Sequence, residues 1–193
     1  MFQVRFHGRG GQGVVTAAEL LAEAAFTEGR HAQAFPSFGS ERMGAPVMSF
    51  CRIDDKPIRT HEPVTEPDAL IIQDPTLLHQ ADLFAGLGRK GYVLVNSAKD
   101  FDELGLDEFV TGFHRDRLLV VPASALAMTH LGRPLPGAPL LGGFAALTGM
   151  VGLDSVVAAI NAKFSGQVAA GNAEAARAAF DFVADERKAL SDA

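Results

Sequence analysis

A glycine-rich stretch near the amino end of the chain has residue types and a spacing suited to holding a phosphate group. Three of its glycines have the spacing G-x-G-x-x-G in the run Gly8-Arg9-Gly10-Gly11-Gln12-Gly13. Glycines let the backbone approach a pyrophosphate closely, and a following helix offers N–H groups and the positive end of its dipole. Arg9 adds a charge-assisted hydrogen-bond donor. The alternative is a tight strand-to-helix turn that binds nothing, so the structural context decides what the motif means.

The residues that follow disfavour a dinucleotide at this stretch. A dinucleotide site needs an acidic residue about 20 positions further on, at the end of the second strand, to bind the ribose hydroxyls. The predicted second strand ends in Gln33-Ala34-Phe35-Pro36, and Glu28 lies before that strand. We therefore expect an anion or pyrophosphate site, and neither NAD nor FAD.

The loop from Pro36 to Pro46 is the second stretch with chemical potential. Its two prolines bracket two glycines, and loops of this length often have a function. Arg42 can fork two hydrogen bonds to a phosphate or carboxylate. The alternative is a surface ion pair between Glu41 and Arg42 that contributes little. We expect ligand or interface roles for Ser37, Phe38, Gly39, Glu41 and Arg42.

The chain has no recognisable catalytic or metal-binding set. His7 precedes the glycine stretch, but a histidine at a strand end is more often structural, and no nucleophile stands in a recognised motif beside it. The remaining histidines lack metal-ligand spacing. A single cysteine, Cys51, excludes an intrachain disulfide and a cysteine-ligated iron–sulfur cluster. We expect neither catalytic residues nor metal ligands in this chain.

Alternating strands and helices are predicted to position these residues. A strand over 2–6 enters the glycine stretch and a helix over 14–27 leaves it, which is a Rossmann-like βα unit. Short apolar runs typical of buried strands lie at 32–35, 69–73, 92–96 and 118–121. The runs 46–53 and 57–61 predict an edge β-hairpin.

Helices are predicted over 123–131, 140–151, 155–164 and 173–190, with Asn172 as the cap of the last one. The prediction is α/β: a single domain over residues 1–193, with a mainly parallel sheet flanked by helices.

The composition narrows the class of protein. Apolar residues make up 48% and charged residues 21% of the chain, and the net charge is −6. An acidic chain argues against nucleic-acid binding, which needs a basic face. No signal peptide is visible, and no apolar run approaches the roughly 18 residues of a membrane span. We expect a cytoplasmic protein.

Three segments taken together resemble the gamma subunits of 2-oxoacid:acceptor oxidoreductases of the pyruvate:ferredoxin type. They are residues 8–21, residues 32–47, and the stretch from Gly132-Arg133-Pro134 to Gly142 and Phe144. Their order and spacing cover nearly the whole chain, and the second segment is the most specific of the three.

The resemblance implies a function. Complexes of this family oxidatively decarboxylate a 2-oxo acid, such as pyruvate or phenylglyoxylate, on thiamine pyrophosphate and transfer the acyl group to coenzyme A. Electrons pass through iron–sulfur clusters to ferredoxin or NAD. The alpha, beta and ferredoxin-like delta-type subunits would hold the thiamine pyrophosphate, magnesium and clusters. A gamma subunit is non-catalytic, closes the active site and helps bind coenzyme A, with the glycine stretch facing its phosphates.

Two departures from the family pattern remove hydrogen-bonding groups. Met43 stands where many relatives have a second arginine, and Gly137-Ala138 stand where many have Asn-Thr. The alternative function is a stand-alone α/β protein that binds a nucleotide or another phosphorylated ligand at the glycine stretch.

Overall fold

A computed structural model describes residues 1–37, 42–79 and 82–192, and six strands of these residues form one sheet. The strands are β1 (Phe2–Arg9), β2 (His31–Pro36), β3 (Pro46–Asp54), β4 (Ala69–Ile72), β5 (Tyr92–Asn96) and β6 (Leu118–Val121). Their spatial order is β2-β3-β1-β4-β5-β6. Strands β1, β4, β5 and β6 are parallel neighbours, whereas β3 pairs antiparallel with both β1 and β2. The prediction of a mainly parallel α/β sheet is confirmed.

Helices connect and cover these strands. They are α1 (Val14–Thr27), α2 (Asp107–Val110), α3 (Ala123–Leu131), α4 (Gly137–Thr148), α5 (Leu153–Lys163) and α6 (Gly166–Ser191). Helix α6 begins seven residues before the predicted start at 173, so the prediction of Asn172 as its cap is wrong. Asn172 lies inside the helix, where its Nδ2 donates to the Val168 carbonyl at 3.0 Å. The segment before it contains Gly166 and Gly171, which disfavour a helix, but Ala169 and Gly171 are buried there, so tertiary packing outweighs the local propensity.

The edge hairpin forms from different strands than the sequence indicated. Residues 57–61 are outside the sheet, and β3 pairs with β2 from His31↔Asp54 to Pro36↔Ser49. A strand has only two edges for hydrogen bonding, and β3 uses both, one for β1 and one for β2. Residues 57–61 therefore have no edge of β3 to pair with, and β2 is the outer strand of the antiparallel pair.

Apolar side chains pack on both faces of the sheet. On one face, Val4 and Phe6 of β1 join a cluster with Leu21 of α1 and Phe144 of α4. On the other face, Val93 and Val95 of β5 form a smaller cluster with Leu77, Leu78 and Leu83. These three leucines follow β4 in the chain and lie outside the sheet. Of the helices described, none combines the length and apolar character that crossing a membrane requires. The carboxyl edge of the parallel strands is left for the functional site.

Candidate functional site

The glycine stretch lies at the carboxyl edge of the sheet, where the chain topology changes direction. Strand β1 ends at Arg9 and α1 begins at Val14, with Gly13 between them in the left-handed conformation at φ 72°. Helix α1 leads to the β2–β3 side, whereas the parallel neighbour on the other side is β4. Open α/β sheets bind ligands at such a switch point. The predicted strand–loop–helix context of the motif is therefore present.

Two of the glycines are required by packing within the protein. A methyl group on Gly8 would stand 2.5 Å from Val14 Cγ2, and one on Gly10 would stand 2.1 Å from the Arg42 carbonyl oxygen. The backbone of Gly10 donates to the Ala45 carbonyl at 2.9 Å and accepts from the Gly44 N–H at 3.0 Å. These bonds lock the glycine stretch onto residues 42–45, which close the second loop.

Arg9 and Gln12 fold back over the edge of the sheet toward Asp74. The Arg9 guanidinium lies 3.3 Å from Asp74 Oδ2, and it also donates to Thr76 Oγ1 and to the Gly44 carbonyl. Gln12 Nε2 donates to Asp74 Oδ2 at 2.8 Å, while its Oε1 accepts from the Arg9 N–H at 2.8 Å. These contacts within the chain fix the shape of the glycine stretch.

The network also controls the charge of Asp74. Burial raises the pKa of this carboxyl, but hydrogen bonds from the Thr76 and Gln12 side chains and the Arg9 charge outweigh burial. The pKa of Asp74 therefore lies below its ordinary value, and the group is ionised at neutral pH. Sequence reasoning did not identify Asp74, although its position directly after a buried strand at the carboxyl edge is a recognisable signal.

A cavity of about 260 Å³ opens beside the glycine stretch; we call it the glycine-loop cavity. It is lined by Gly11, Gln12 and Gly13 together with the first turns of α1. Leu131 and Leu135 and the apolar side chains of Phe164 and Val168 form its walls. The rim includes Arg133, so the cavity brings together the first and third of the segments that carry the family resemblance.

Of the residues predicted for the second loop, Ser37 and Arg42 lie within the part of the chain that the structure describes. Ser37 extends the β2–β3 pair, since its N–H donates to the Met48 carbonyl at 2.9 Å. Arg42 is exposed at the start of the segment that packs on Gly10. Three other residues predicted for the site, Phe38, Gly39 and Glu41, lie outside the described residues.

Apolar surface beside this loop is only partly covered by the chain itself. Phe35 is half-buried, and its ring centroid lies 5.1 Å from that of Phe50. The Arg52 guanidinium lies over the Phe35 ring, 5.3 Å from its centroid. Met43, by contrast, exposes 86% of its surface next to Gly11.

His7 and Cys51 have structural environments. His7 Nε2 accepts from Arg5 Nε at 3.0 Å, and burial and then the Arg5 charge lower the pKa of His7 to about 3. The imidazole is thus neutral and its acceptor nitrogen is occupied. Burial alone raises the pKa of the Cys51 thiol well above its ordinary value. Over residues 1–37, 42–79 and 82–192, no group of three or more His, Cys, Asp or Glu side chains is arranged to hold a metal ion.

The fold and the glycine stretch define the class of protein: an α/β domain of the open-sheet type with a phosphate-suited loop at its carboxyl edge. A family model described as pyruvate ferredoxin/flavodoxin oxidoreductase matches residues 3–182. The common gamma subunit of the pyruvate and ketoisovalerate oxidoreductases of Pyrococcus abyssi is 48% identical over 181 residues, which are 94% of this chain and 96% of that protein.

Solved structures agree with this assignment. The crystal structure of the pyruvate oxidoreductase subunit PORC of Thermotoga maritima matches with a TM-score of 0.78 and 36% identity, over 93% of this chain and 95% of that chain. The 2-oxoglutarate:ferredoxin oxidoreductase of Magnetococcus marinus, determined with 2-oxoglutarate, coenzyme A and succinyl-CoA bound, shares the fold. Its TM-score is 0.66 at 18% identity, over 99% of this chain and 31% of that chain. The chain belongs to the pyruvate ferredoxin/flavodoxin oxidoreductase family, as a gamma-type subunit.

Proposed function

We propose that this chain, acting over residues 1–193 as one domain, binds the phosphate-bearing part of coenzyme A at the glycine-loop cavity. In the proposed complex, partner alpha, beta and ferredoxin-like delta-type subunits hold thiamine pyrophosphate, magnesium and iron–sulfur clusters. These subunits oxidise a 2-oxo acid such as pyruvate in the cytoplasm and pass the electrons to ferredoxin. The gamma subunit closes the active site and presents coenzyme A to the acyl group.

The observation that carries this proposal is the presence of Gly11–Gly13 in the lining of a cavity at the carboxyl edge of the sheet. The peptide N–H groups at the start of α1 and the positive end of its dipole favour an anion there. Arg133 on the rim supplies a guanidinium, whose planar fork suits a phosphate. The apolar walls suit the uncharged parts of a larger ligand, since ligand cavities are mostly apolar with few polar groups.

Gly13→Val tests this proposal. Gly13 lines the glycine-loop cavity, and a side chain there would meet no protein atom within 4 Å. In the reconstituted complex we expect the KM for coenzyme A to rise about tenfold or more, which corresponds to roughly 1.4 kcal/mol of lost binding. The KM for the 2-oxo acid should change little.

Gly29→Val is the matched control. Gly29 lies just beyond the other end of α1 and has φ 80°, and a side chain there also meets nothing within 4 Å. Both variants place valine in a left-handed conformation and carry a similar backbone cost. A rise in the coenzyme A KM that is equal in both variants, or absent from Gly13→Val, would contradict the proposed site.

Arg42→Ala tests whether the second loop contributes to the same function. Arg42 is exposed and follows residues that the family resemblance assigns to the site. We expect Arg42→Ala to weaken either assembly or coenzyme A use about five- to tenfold, and Arg42→Lys to restore only part of it, because lysine cannot form the bidentate fork. Size-exclusion chromatography of the complex and coenzyme A kinetics measure the two effects. Wild-type behaviour of Arg42→Ala in both would leave Arg42 as a solvated surface cation.

The isolated chain is expected to have no 2-oxo acid oxidation activity. We infer this because thiamine pyrophosphate and the clusters are proposed to lie in other subunits. The assay supplies a 2-oxo acid, thiamine pyrophosphate, magnesium, coenzyme A and a dye acceptor. Adding the partner subunits should restore turnover. Turnover by the purified chain alone would instead favour the stand-alone alternative.

A further inference from the structure

The side chain of Gln73 is buried, and its amide makes no hydrogen bond within the described part of the chain. Gln73 directly follows β4 and is 1% exposed, and both Nε2 and Oε1 lack a partner there. A primary amide carries two donors and an acceptor, and leaving them unpaired away from water is unfavourable. Such a group in a native fold calls for an explanation, such as a ligand or a water.

The backbone of Gln73 is held by hydrogen bonds on both sides. Its N–H donates to the His7 carbonyl at 2.7 Å, and its carbonyl accepts from Asn96 Nδ2 at 2.8 Å. These bonds fix Gln73 between β1 and β5. A methyl group on Gly8 would stand only 3.2 Å from Gln73 Cβ, so the glycine stretch packs directly against this side chain.

The amide lies close to Gly137, one of the residues that line the glycine-loop cavity. Gly137, at the start of α4, lines this cavity together with Gly13 and Ala17. A methyl group on Gly137 would stand 3.7 Å from Gln73 Nε2, 3.5 Å from Ala17 Cβ and 3.9 Å from the Gly13 carbonyl oxygen. Because Gly137 has no side chain, a depression about the size of one methyl group lies between the cavity and Nε2 of Gln73.

We propose that the Gln73 amide is a specificity-determining group that pairs with a neighbouring donor and acceptor on the ligand through this depression. This inference rests on the proposed binding of coenzyme A. Coenzyme A offers the required chemistry twice, in the secondary amides of its pantetheine arm and in the edge of its adenine ring. A glutamine amide can form two hydrogen bonds to either group.

Gln73→Met removes both polar atoms and keeps an unbranched side chain of similar length. In the reconstituted complex we expect the KM for coenzyme A to rise about tenfold. The denaturation midpoint of the free chain should stay equal or rise, because an unpaired buried amide has been replaced by an apolar group. If the Gln73 amide has only a structural role, Gln73→Met should change the denaturation midpoint in the same way but keep the coenzyme A KM within about twofold of wild type. That result would overturn the proposal.

Gly137→Ala is the second variant, and it leaves Gln73 itself intact. Its added methyl group stands at ordinary contact distances from its neighbours, so the fold should accept it. By filling the depression it should raise the coenzyme A KM as Gln73→Met does. Gln33→Met is the control and should leave the KM unchanged; Gln33 is a half-buried glutamine in the edge strand β2, and its Oε1 is buried without a partner in the described residues.

Two competitors identify the partner group. Inhibition by pantetheine and by adenosine 3′,5′-bisphosphate is measured against coenzyme A in wild type and in Gln73→Met. If Gln73→Met weakens inhibition by only one of these competitors, Gln73 pairs with the part of coenzyme A that this competitor contains. That part is a pantetheine amide in the first case and the adenine edge in the second. If Gly13→Val raises the coenzyme A KM while neither Gln73→Met nor Gly137→Ala does, this inference fails and the proposed function stands. If Gly13→Val has no effect, the proposed function fails.

Discussion

Gly10→Val is expected to destabilise the chain by about 2–4 kcal/mol and, in the assembled complex, to raise the coenzyme A KM about tenfold. The valine side chain would have to enter space 2.1 Å from the Arg42 carbonyl oxygen, and a backbone atom cannot turn aside as a flexible side chain can. Relief requires the glycine stretch and residues 42–45 to separate, which breaks the two backbone bonds of Gly10. Urea denaturation of the free chain and steady-state kinetics of the complex measure the two effects.

Gly88→Val is the control for this crowding. A side chain on Gly88 meets nothing within 4 Å, and its backbone is not in the left-handed region. Its unfolding free energy should remain within about 0.5 kcal/mol of wild type. Equal stability of Gly10→Val and Gly88→Val would mean that residues 42–45 are not held against the glycine stretch.

Gly142→Ala is expected to cost about 3 kcal/mol or more of folding stability, although alanine is normally favourable in a helix. Helices α4 and α6 approach so closely that a methyl group on Gly142 would lie 1.9 Å from the Ala176 carbonyl oxygen and 2.9 Å from its Cα. The two helices must move apart to admit it, and the packing of the core between them is then lost.

The adjacent glycine provides an internal comparison. A methyl group on Gly143 would stand 3.2 Å from Leu94 Cδ2 and 3.2 Å from Val183 Cγ2, both ends of side chains that can shift by a few tenths of an ångström. Gly143→Ala should therefore change stability by no more than about 1 kcal/mol. If chemical denaturation gives similar losses for the two variants, the close approach of α4 and α6 at Gly142 is not what limits substitution.

Local patterns were sufficient to predict most of the elements. The apolar runs at 69–73, 92–96 and 118–121 became β4, β5 and β6 because buried parallel strands need nearly continuous apolar sequence. The predicted helix over 123–131 is α3 with the same bounds. The partner of β3 was not predictable in this way, because strand pairing depends on which edges other strands have already filled.

The site was predictable as a loop but not as a set of contacts. The spacing of Gly8, Gly10 and Gly13 indicated the strand–loop–helix turn, and the structure contains it. Contacts with Asp74 and Gln73 were missed, since about 60 residues separate them from the glycine stretch and only the β1–β4 pairing brings them near. The assignment of ligand contacts to Ser37, Arg42 and the glycine stretch stays a prediction.

The placement of β1 in the middle of the sheet has a consequence for how the protein is made. This strand leaves the ribosome before both of its neighbours in the sheet, which are residues 46–54 and 69–72. Helix α6, which packs against α3 and α4, leaves after both of them. The apolar residues Val4 and Phe6 therefore stay uncovered through much of translation, when unpaired strands are prone to aggregate. Production of this subunit should consequently benefit from slow synthesis and from chaperones that hold nascent chains.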